Sequence, residues 1–237
     1  MIPELARAHR VIAPDWLGWG ESERSLTLAP RFEDEVRRLA LLIDALDLRE
    51  FSLFGHDYGG LLAMAYATTH PQRVLRLALS NTRAHKTFAP AWYLLLGSVT
   101  WLGRVPVANR LLEVFPAYGV HRRLLRPHIE LGAFDDQEVE GYLGWMKTVD
   151  GARWFAHFYR YFGISPRAEL AQAATRLRCP VALIWGEHDR YFPISIAEDL
   201  LRLIPHAVLH RVPADHYVME ERPAEVLVAI EKWLLER

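Results

Sequence analysis

Short apolar runs alternate along this chain with segments of helical period, and that alternation limits the fold more than any other feature. Residues 51–54, 74–79, 181–185 and 207–212 read as short buried strands, and so does the run His-Arg-Val-Ile-Ala-Pro at residues 9–14. Between them, residues 32–46 carry Val36, Leu39, Ala40, Ile43 and Leu46 at the spacing of one helix face. Residues 61–69 form a second helical segment, which Pro71 stops, and Ile194–Leu203 and residues 224–235 complete the set. Strands buried on both faces and separated by helices demand parallel βαβ units. The predicted class is therefore α/β.

Between Arg83 and Pro166 the rhythm changes. Trp, Tyr, Leu and Arg crowd together, turns are expected at Gly97, Gly119, Gly132 and Gly163, and no strand is visible. This stretch reads as a helical insertion between two strands of the sheet. The expected organisation is a core of residues 1–83 and 166–237 with an insertion at 84–165, and 237 residues leave room for both. Lys plus Arg is 28 and Asp plus Glu is 29, a formal net charge of −1, which argues against a basic nucleic-acid surface. The single cysteine, Cys179, excludes an internal disulfide framework and a multi-cysteine metal site. It reads as a small core residue. The opening residues lack the basic-then-apolar pattern of a secretory signal. The most apolar stretch, residues 91–103, is 13 residues long and too short to span a bilayer. A cytoplasmic protein with no membrane or nucleic-acid partner is the expectation.

The most informative stretch is Phe51-Ser-Leu-Phe-Gly-His-Asp-Tyr-Gly-Gly60. A strand is expected to end at Gly55 and a helix to start after Gly59-Gly60. Flanking glycines let the chain turn sharply and leave Asp57 projecting at the strand's carboxyl end. Tyr58 would open the helix, with its backbone N–H aimed at a developing oxyanion. Taken alone, the motif also fits a tight turn with a helix-capping aspartate.

The stretch resembles the nucleophile elbow of the α/β-hydrolase superfamily, with aspartate where esterases and lipases carry serine. Pro14-Asp-Trp-Leu-Gly-Trp-Gly-Glu-Ser22 resembles the family's loop after its fourth strand. Ile184-Trp-Gly-Glu-His-Asp189 resembles its acid loop, and Asp215-His216-Tyr217 with Glu221-Arg-Pro resembles its histidine loop. Nucleophile, acid and histidine stand in the family's order. The resemblance implies an α/β-hydrolase fold, a mostly parallel sheet flanked by helices with an inserted helical cap, and a catalytic set of Asp57, Asp189 and His216. Asp189 could otherwise be a turn residue before Pro193, and His216 a surface histidine.

Aspartate at the elbow changes the chemistry. A carboxylate is a poor nucleophile toward an ester carbonyl, but it can displace a leaving group at saturated carbon and form an alkyl-enzyme ester. His216 would then activate water against that ester, Asp189 would orient the imidazole, and the Tyr58 N–H would stabilise the oxyanion. Two subfamilies resemble this plan, epoxide hydrolases and haloalkane or haloacid dehalogenases. An epoxide oxygen needs an acid, supplied in that family by cap tyrosines. His157-Phe-Tyr159-Arg160 resembles the segment that carries one of them, so Tyr159 is the candidate cap acid. Tyr93, Tyr118, Tyr142 and Tyr161 remain open as the second, and Tyr159 could equally be a packing aromatic. A halide needs N–H donors, typically from a tryptophan after the nucleophile, where this chain has Tyr58. Ser80-Asn81-Thr82, however, resembles some haloalkane dehalogenases.

The expected partners are a small apolar organic substrate and water, beneath an insertion rich in Trp92, Trp101, Trp145 and Trp154. No cofactor is expected: the chain has neither a dinucleotide glycine motif in a strand–helix context nor a phosphate loop of Walker type. No metal is expected either. His206 and His210 fall on a predicted strand without a carboxylate to complete a site, and His188 reads as a solvated loop residue. The family's opening hairpin and its strand ending in a His-Gly-x-Pro-like oxyanion loop have no counterpart here. The expectation is a chain truncated at its amino end, missing an interior strand between residues 9–14 and 51–54. A non-catalytic binding protein of hydrolase fold is the alternative of a different class.

Overall fold

The computed structural model describes residues 1–235. Four strands form one parallel sheet in the order β1 (Phe51–His56), β2 (Val74–Ser80), β3 (Val181–Gly186) and β4 (Val208–Val212). The register sets His56 beside Ser80, Ser80 beside Ile184, and Gly186 beside Val212. The carboxyl ends of all four strands therefore lie along one sheet edge. The loops that follow them emerge together, as open α/β sheets require of a ligand site.

β3 is buried along its whole length, and Leu77, Leu79, Leu183 and Ile184 are fully inaccessible. Each such side chain contributes roughly 1.5–3 kcal/mol of burial. The helix Asp57–Thr69 packs on β1 and β2 and is buried from Gly60 through Ala67, so it is a core helix rather than an amphipathic one. The helices Ile194–Leu203 and Pro223–Leu235 pack on β3. The helix Phe32–Ala45 turns Leu39 and Ile43 inward at the predicted spacing, and also Glu35, which pairs with Arg38 inside the same turn.

Two units follow from the contacts. One joins Met1, Phe32–Tyr93 and residues 164–235; the other joins Ile2–Arg31 with Leu94–Gly163. This division differs from the expected 1–83 and 166–237 against 84–165, because the amino-terminal thirty residues group with the helices. Within that second unit a Cβ on Gly18 would lie 1.8 Å from Trp154, Trp19 meets Trp145 edge-on at 5.3 Å, and His157 hydrogen-bonds the Leu28 carbonyl at 2.9 Å. Trp154, fully buried, is the centre of this packing.

The predicted strand at residues 9–14 does not form, and those residues enter no ladder. A strand exists only where a neighbour offers N–H and C=O partners, and among the described residues β1 pairs with β2 alone. The insertion is helical, as its composition implied: Pro90–Arg104, Pro106–Leu112, Ala117–Glu130, Asp136–Leu143 and Val149–Tyr161, with a single 3-10 turn at Gly144–Lys147. Two of its four predicted turn glycines lie inside helices instead, Gly97 in Pro90–Arg104 and Gly119 in Ala117–Glu130. Gly132, at φ +75°, does make a turn. Among the described residues no helix is long and apolar enough to cross a membrane.

Candidate active site

β1 runs through His56 and the helix begins at Asp57, earlier than the sequence suggested, so Gly59 and Gly60 lie within its first turn rather than ahead of it. Asp57 itself has φ +47°, the left-handed region that a side chain rarely enters. Such a conformation costs on the order of 1–3 kcal/mol and persists only where its surroundings enforce it. The enforcement is local. A Cβ on Gly55 would sit 2.5 Å from the Gly59 carbonyl, so the turn can close only over a glycine at 55, whereas a Cβ on Gly59 would meet nothing. Thr82, in the loop after β2, donates its hydroxyl to the Asp57 main-chain carbonyl at 2.6 Å. Tyr58 is the second helical residue, so its N–H belongs to the first turn, where N–H groups have no intrahelical acceptor.

Asp189 lies three residues beyond β3 with its side chain wholly buried. One carboxylate oxygen accepts the Tyr191 and Phe192 N–H groups at 2.6 and 2.9 Å. The other accepts the Asn81 amide at 2.6 Å and faces His216 Nδ1 at 3.0 Å. These hydrogen bonds and the His216 charge outweigh burial and hold the carboxyl below its usual range.

His216 lies in the loop after β4, and Glu221 shapes that loop by accepting the N–H groups on either side of it, Asp215 at 2.8 Å and Tyr217 at 3.1 Å. Asp215 in turn binds Arg190, both the backbone N–H at 3.1 Å and Nε at 2.6 Å, which ties the histidine loop to the acid loop. Gly186 permits the approach, since a Cβ there would lie 1.9 Å from the Asp215 carbonyl. The Nε2 atom of His216 stands 3.6 Å from an Asp57 carboxylate oxygen. Burial opposes the imidazolium, yet the two carboxylates prevail and push the His216 pKa up to about 9. His56, whose ring lies 4.6 Å from that of His216, goes the other way: burial and then the His216 charge take it down to about 3. The positive charge of the pair is thus favoured on His216 and disfavoured on His56.

Asp57, Asp189 and His216 are therefore brought together at the sheet edge, each from the end of a different strand. The arrangement can present a carboxylate to carbon and a base to water. Tyr159 lies in the second unit on the helix Val149–Tyr161, half-buried among Phe155, Phe158 and Phe162. Of the open tyrosines, Tyr118 donates to Glu140 at 3.0 Å under the Lys147 ammonium, and Tyr161 lies under Arg31. His206 bonds the Cys179 carbonyl ahead of β4, and Cys179 is half-buried rather than in the core. Among the described residues no three His, Cys, Asp or Glu are disposed to hold a metal.

Sequence reasoning missed the residues that organise this site. The elbow motif assigns His56 no role, and Asn81 and Thr82 carry only a resemblance. Their signal was available: Ser80, Asn81, Thr82 and Arg83 are four consecutive polar residues directly after an apolar strand, and all four are at most 1% exposed. A polar run that follows a buried strand into the interior needs partners there.

A parallel sheet with a strained strand-to-helix elbow, an acid after a later strand and a histidine after the last is the architecture of the α/β hydrolases. The chain belongs to the alpha/beta hydrolase fold family, whose model matches residues 1–223. It is 26% identical to a cis-3-alkyl-4-alkyloxetan-2-one decarboxylase of Shewanella oneidensis, over 100% of this chain and 77% of that protein. It is 27% identical to haloalkane dehalogenase 2 of Mycobacterium bovis, over 97% of this chain and 80% of the other. A solved structure of Bacillus megaterium epoxide hydrolase with an inhibitor superposes with a TM-score of 0.75 at 20% identity, covering 99% of this chain and 87% of that one. The last likeness is one of fold.

Proposed function

We propose that the protein is a hydrolase in which Asp57 attacks saturated carbon, and that its substrate is a small apolar epoxide. The observation that carries this reading is a carboxylate at the elbow position, 3.6 Å from an imidazole whose other nitrogen is 3.0 Å from a buried second carboxylate. In the first step an Asp57 oxygen bonds to a ring carbon, the C–O bond breaks, and the ring oxygen leaves with the electron pair and takes a proton from a tyrosine hydroxyl, for which Tyr159 is the candidate. In the second, His216 removes a proton from water as it attacks the Asp57 side-chain carbonyl, and the Tyr58 N–H steadies the oxyanion. The ester C–O bond then breaks, and His216 returns its proton to the departing alkoxide to complete the diol. The carboxyl proton that water leaves on Asp57 passes to the neutral imidazole, restoring the Asp57 carboxylate and the charged His216.

The electrostatics suit this order. In the free protein two carboxylates support the charge on His216. Esterification of Asp57 removes one of them, so the imidazole pKa falls. The imidazolium gives up its proton, through water, to the tyrosinate that the first step leaves, and His216 is neutral at the step that needs a base. Asp189, with all four of its donors, holds the ring throughout.

A second reading, cleavage of a carbon–halogen bond, is favoured by the haloalkane dehalogenase relative and the Ser80-Asn81-Thr82 segment. Its weakness is Tyr58, which offers a halide no indole N–H. Single-turnover reaction in 18O-water, run in parallel with an aliphatic epoxide and a haloalkane, separates the readings. The expected result is conversion of the epoxide to a diol lacking label in the first turnover, with the label in the Asp57 carboxylate. Label in the first diol would refute attack by Asp57, and turnover of the haloalkane alone would establish the second reading.

A further inference from the structure

Asn81 lies one residue beyond β2, is 0% exposed, and has φ +40°. Two partners of fixed type orient its amide: the Gly186 N–H can only donate and the Asp189 carboxylate can only accept. The Ser80 hydroxyl and the Gly186 N–H donate to Oδ1 at 3.0 and 3.3 Å, and Nδ2 donates to Asp189 at 2.6 Å. One side chain thus joins the end of β2, the end of β3 and the acid. The Asp189 oxygen it reaches is the same oxygen that faces His216 Nδ1.

We propose that Asn81 is a positioning residue of the acid–imidazole pair: its amide fixes the rotation of the Asp189 carboxylate and limits how tightly that carboxylate holds the His216 proton. The proposal rests on the reading of Asp57, Asp189 and His216 as a working set. A hydrogen bond donated to a carboxylate oxygen draws off part of its negative charge. Without that bond more of the negative charge of Asp189 acts on His216, and the imidazolium is harder to deprotonate. The amide therefore leaves His216 basic enough to take a proton from water and acidic enough to give it back.

The other groups facing His216 stay in place when Asn81 is changed. They are Asp57 from the elbow, His56 from the end of β1, Tyr191 from the acid loop, Tyr217 beside it, and the Arg190–Asp215 pair that links the two loops. Burial keeps the two tyrosine hydroxyls protonated, Tyr191 up to about 12. A change in the His216 titration then reports on Asn81.

The test is an NMR titration of the imidazoles of the full chain, with His216→Gln to assign the signal. Asn81→Gly suits the positive φ and removes the amide; Asn81→Ser does so while keeping a side chain, and serves if the glycine variant does not fold. In either folded variant the His216 pKa should rise by about half a unit to one unit. On a competent substrate kcat should fall roughly tenfold while KM stays within about twofold, the pattern of a lost transition-state interaction. A His216 pKa that is unchanged or lowered overturns the proposal. The titration needs no substrate, so inertness toward epoxides and haloalkanes would count against the proposed reaction and leave this measurement to decide on Asn81.

Discussion

The two halves of the site are built on opposite plans. Asp189 and His216 are dry: their side chains are 0% and 5% exposed, and Asp189 takes four N–H donors. Asp57 is 42% exposed, stands 3.6 Å from His216, beyond hydrogen-bond length, and is held in a left-handed backbone conformation by Thr82 and Gly55. In the proposed reaction, rigidity is concentrated where a proton is handled at a fixed distance, and strain and exposure where a carboxylate reaches a substrate atom. A nucleophile with as many donors as Asp189 would have its lone pairs occupied and its reactivity suppressed.

Removing the exposed half should have the largest effect. Asp57→Ala deletes the proposed nucleophile and should lower kcat/KM by roughly 10⁴-fold or more, since members of such a set act as a unit. It should also leave no covalent product on the chain, as judged by intact mass after exposure to substrate. Retention of more than a few per cent of turnover would show that the exposed carboxylate is not the reacting group.

Changing the dry half should give a different failure. In the proposed mechanism His216→Gln leaves Asp57 free to attack but removes the base for the second step, so turnover should fall by roughly 10²–10⁴-fold. The mass of the substrate should then appear on the peptide that carries Asp57. An inert variant with no adduct would mean that His216 serves the first step too, and the two halves would not be separable.

Thr82 braces the exposed half. Thr82→Val keeps the shape and removes the hydroxyl, so the Asp57 carbonyl loses a hydrogen bond and the elbow a restraint. Stability should fall by about 1 kcal/mol and kcat by roughly tenfold. Thr82→Ser should restore both, read by urea unfolding and steady-state kinetics. Equal loss in the two variants would assign Thr82 to packing against Gly60 instead of to the carbonyl.

How much of this was legible follows from how local each signal is. Residues 181–185 announced β3 because a strand buried on both faces cannot avoid a continuous apolar run, and Ile194–Leu203 is helical over the predicted span because its period and boundaries are local. The apolar run at residues 9–14 misled for the converse reason, since a strand also needs a neighbour and the run carries no information about one. Gly97 and Gly119 misled because a glycine inside a helix costs only about 1 kcal/mol, which surrounding packing easily exceeds. Asp57, Asp189 and His216 were each marked by a local motif. The Asn81–Asp189 bond spans 108 residues of sequence and has no local signature beyond a polar run where a core begins.

The smallest expected effect concerns the dry half alone, and it separates structure from catalysis without any substrate. His216 titrates at about 9 in the folded protein against 6.5 when unfolded. A group whose pKa rises on folding stabilises the native state fully below its unfolded pKa, and that contribution fades as pH climbs through the folded value. Urea unfolding of the wild-type chain should therefore show stability lost between about pH 6.5 and pH 9, by roughly 1–3 kcal/mol from this group. His216→Gln has no such proton to bind, so the difference between the two curves isolates the imidazole. Asp57→Ala removes one of the two carboxylates that support the charge, so its curve should lose stability at a lower pH than the wild type while keeping the same sign. Identical wild-type and His216→Gln curves over that range would mean that the two carboxylates do not hold a proton on the ring, and the contrast between a charged resting imidazole and a neutral working one would go with it.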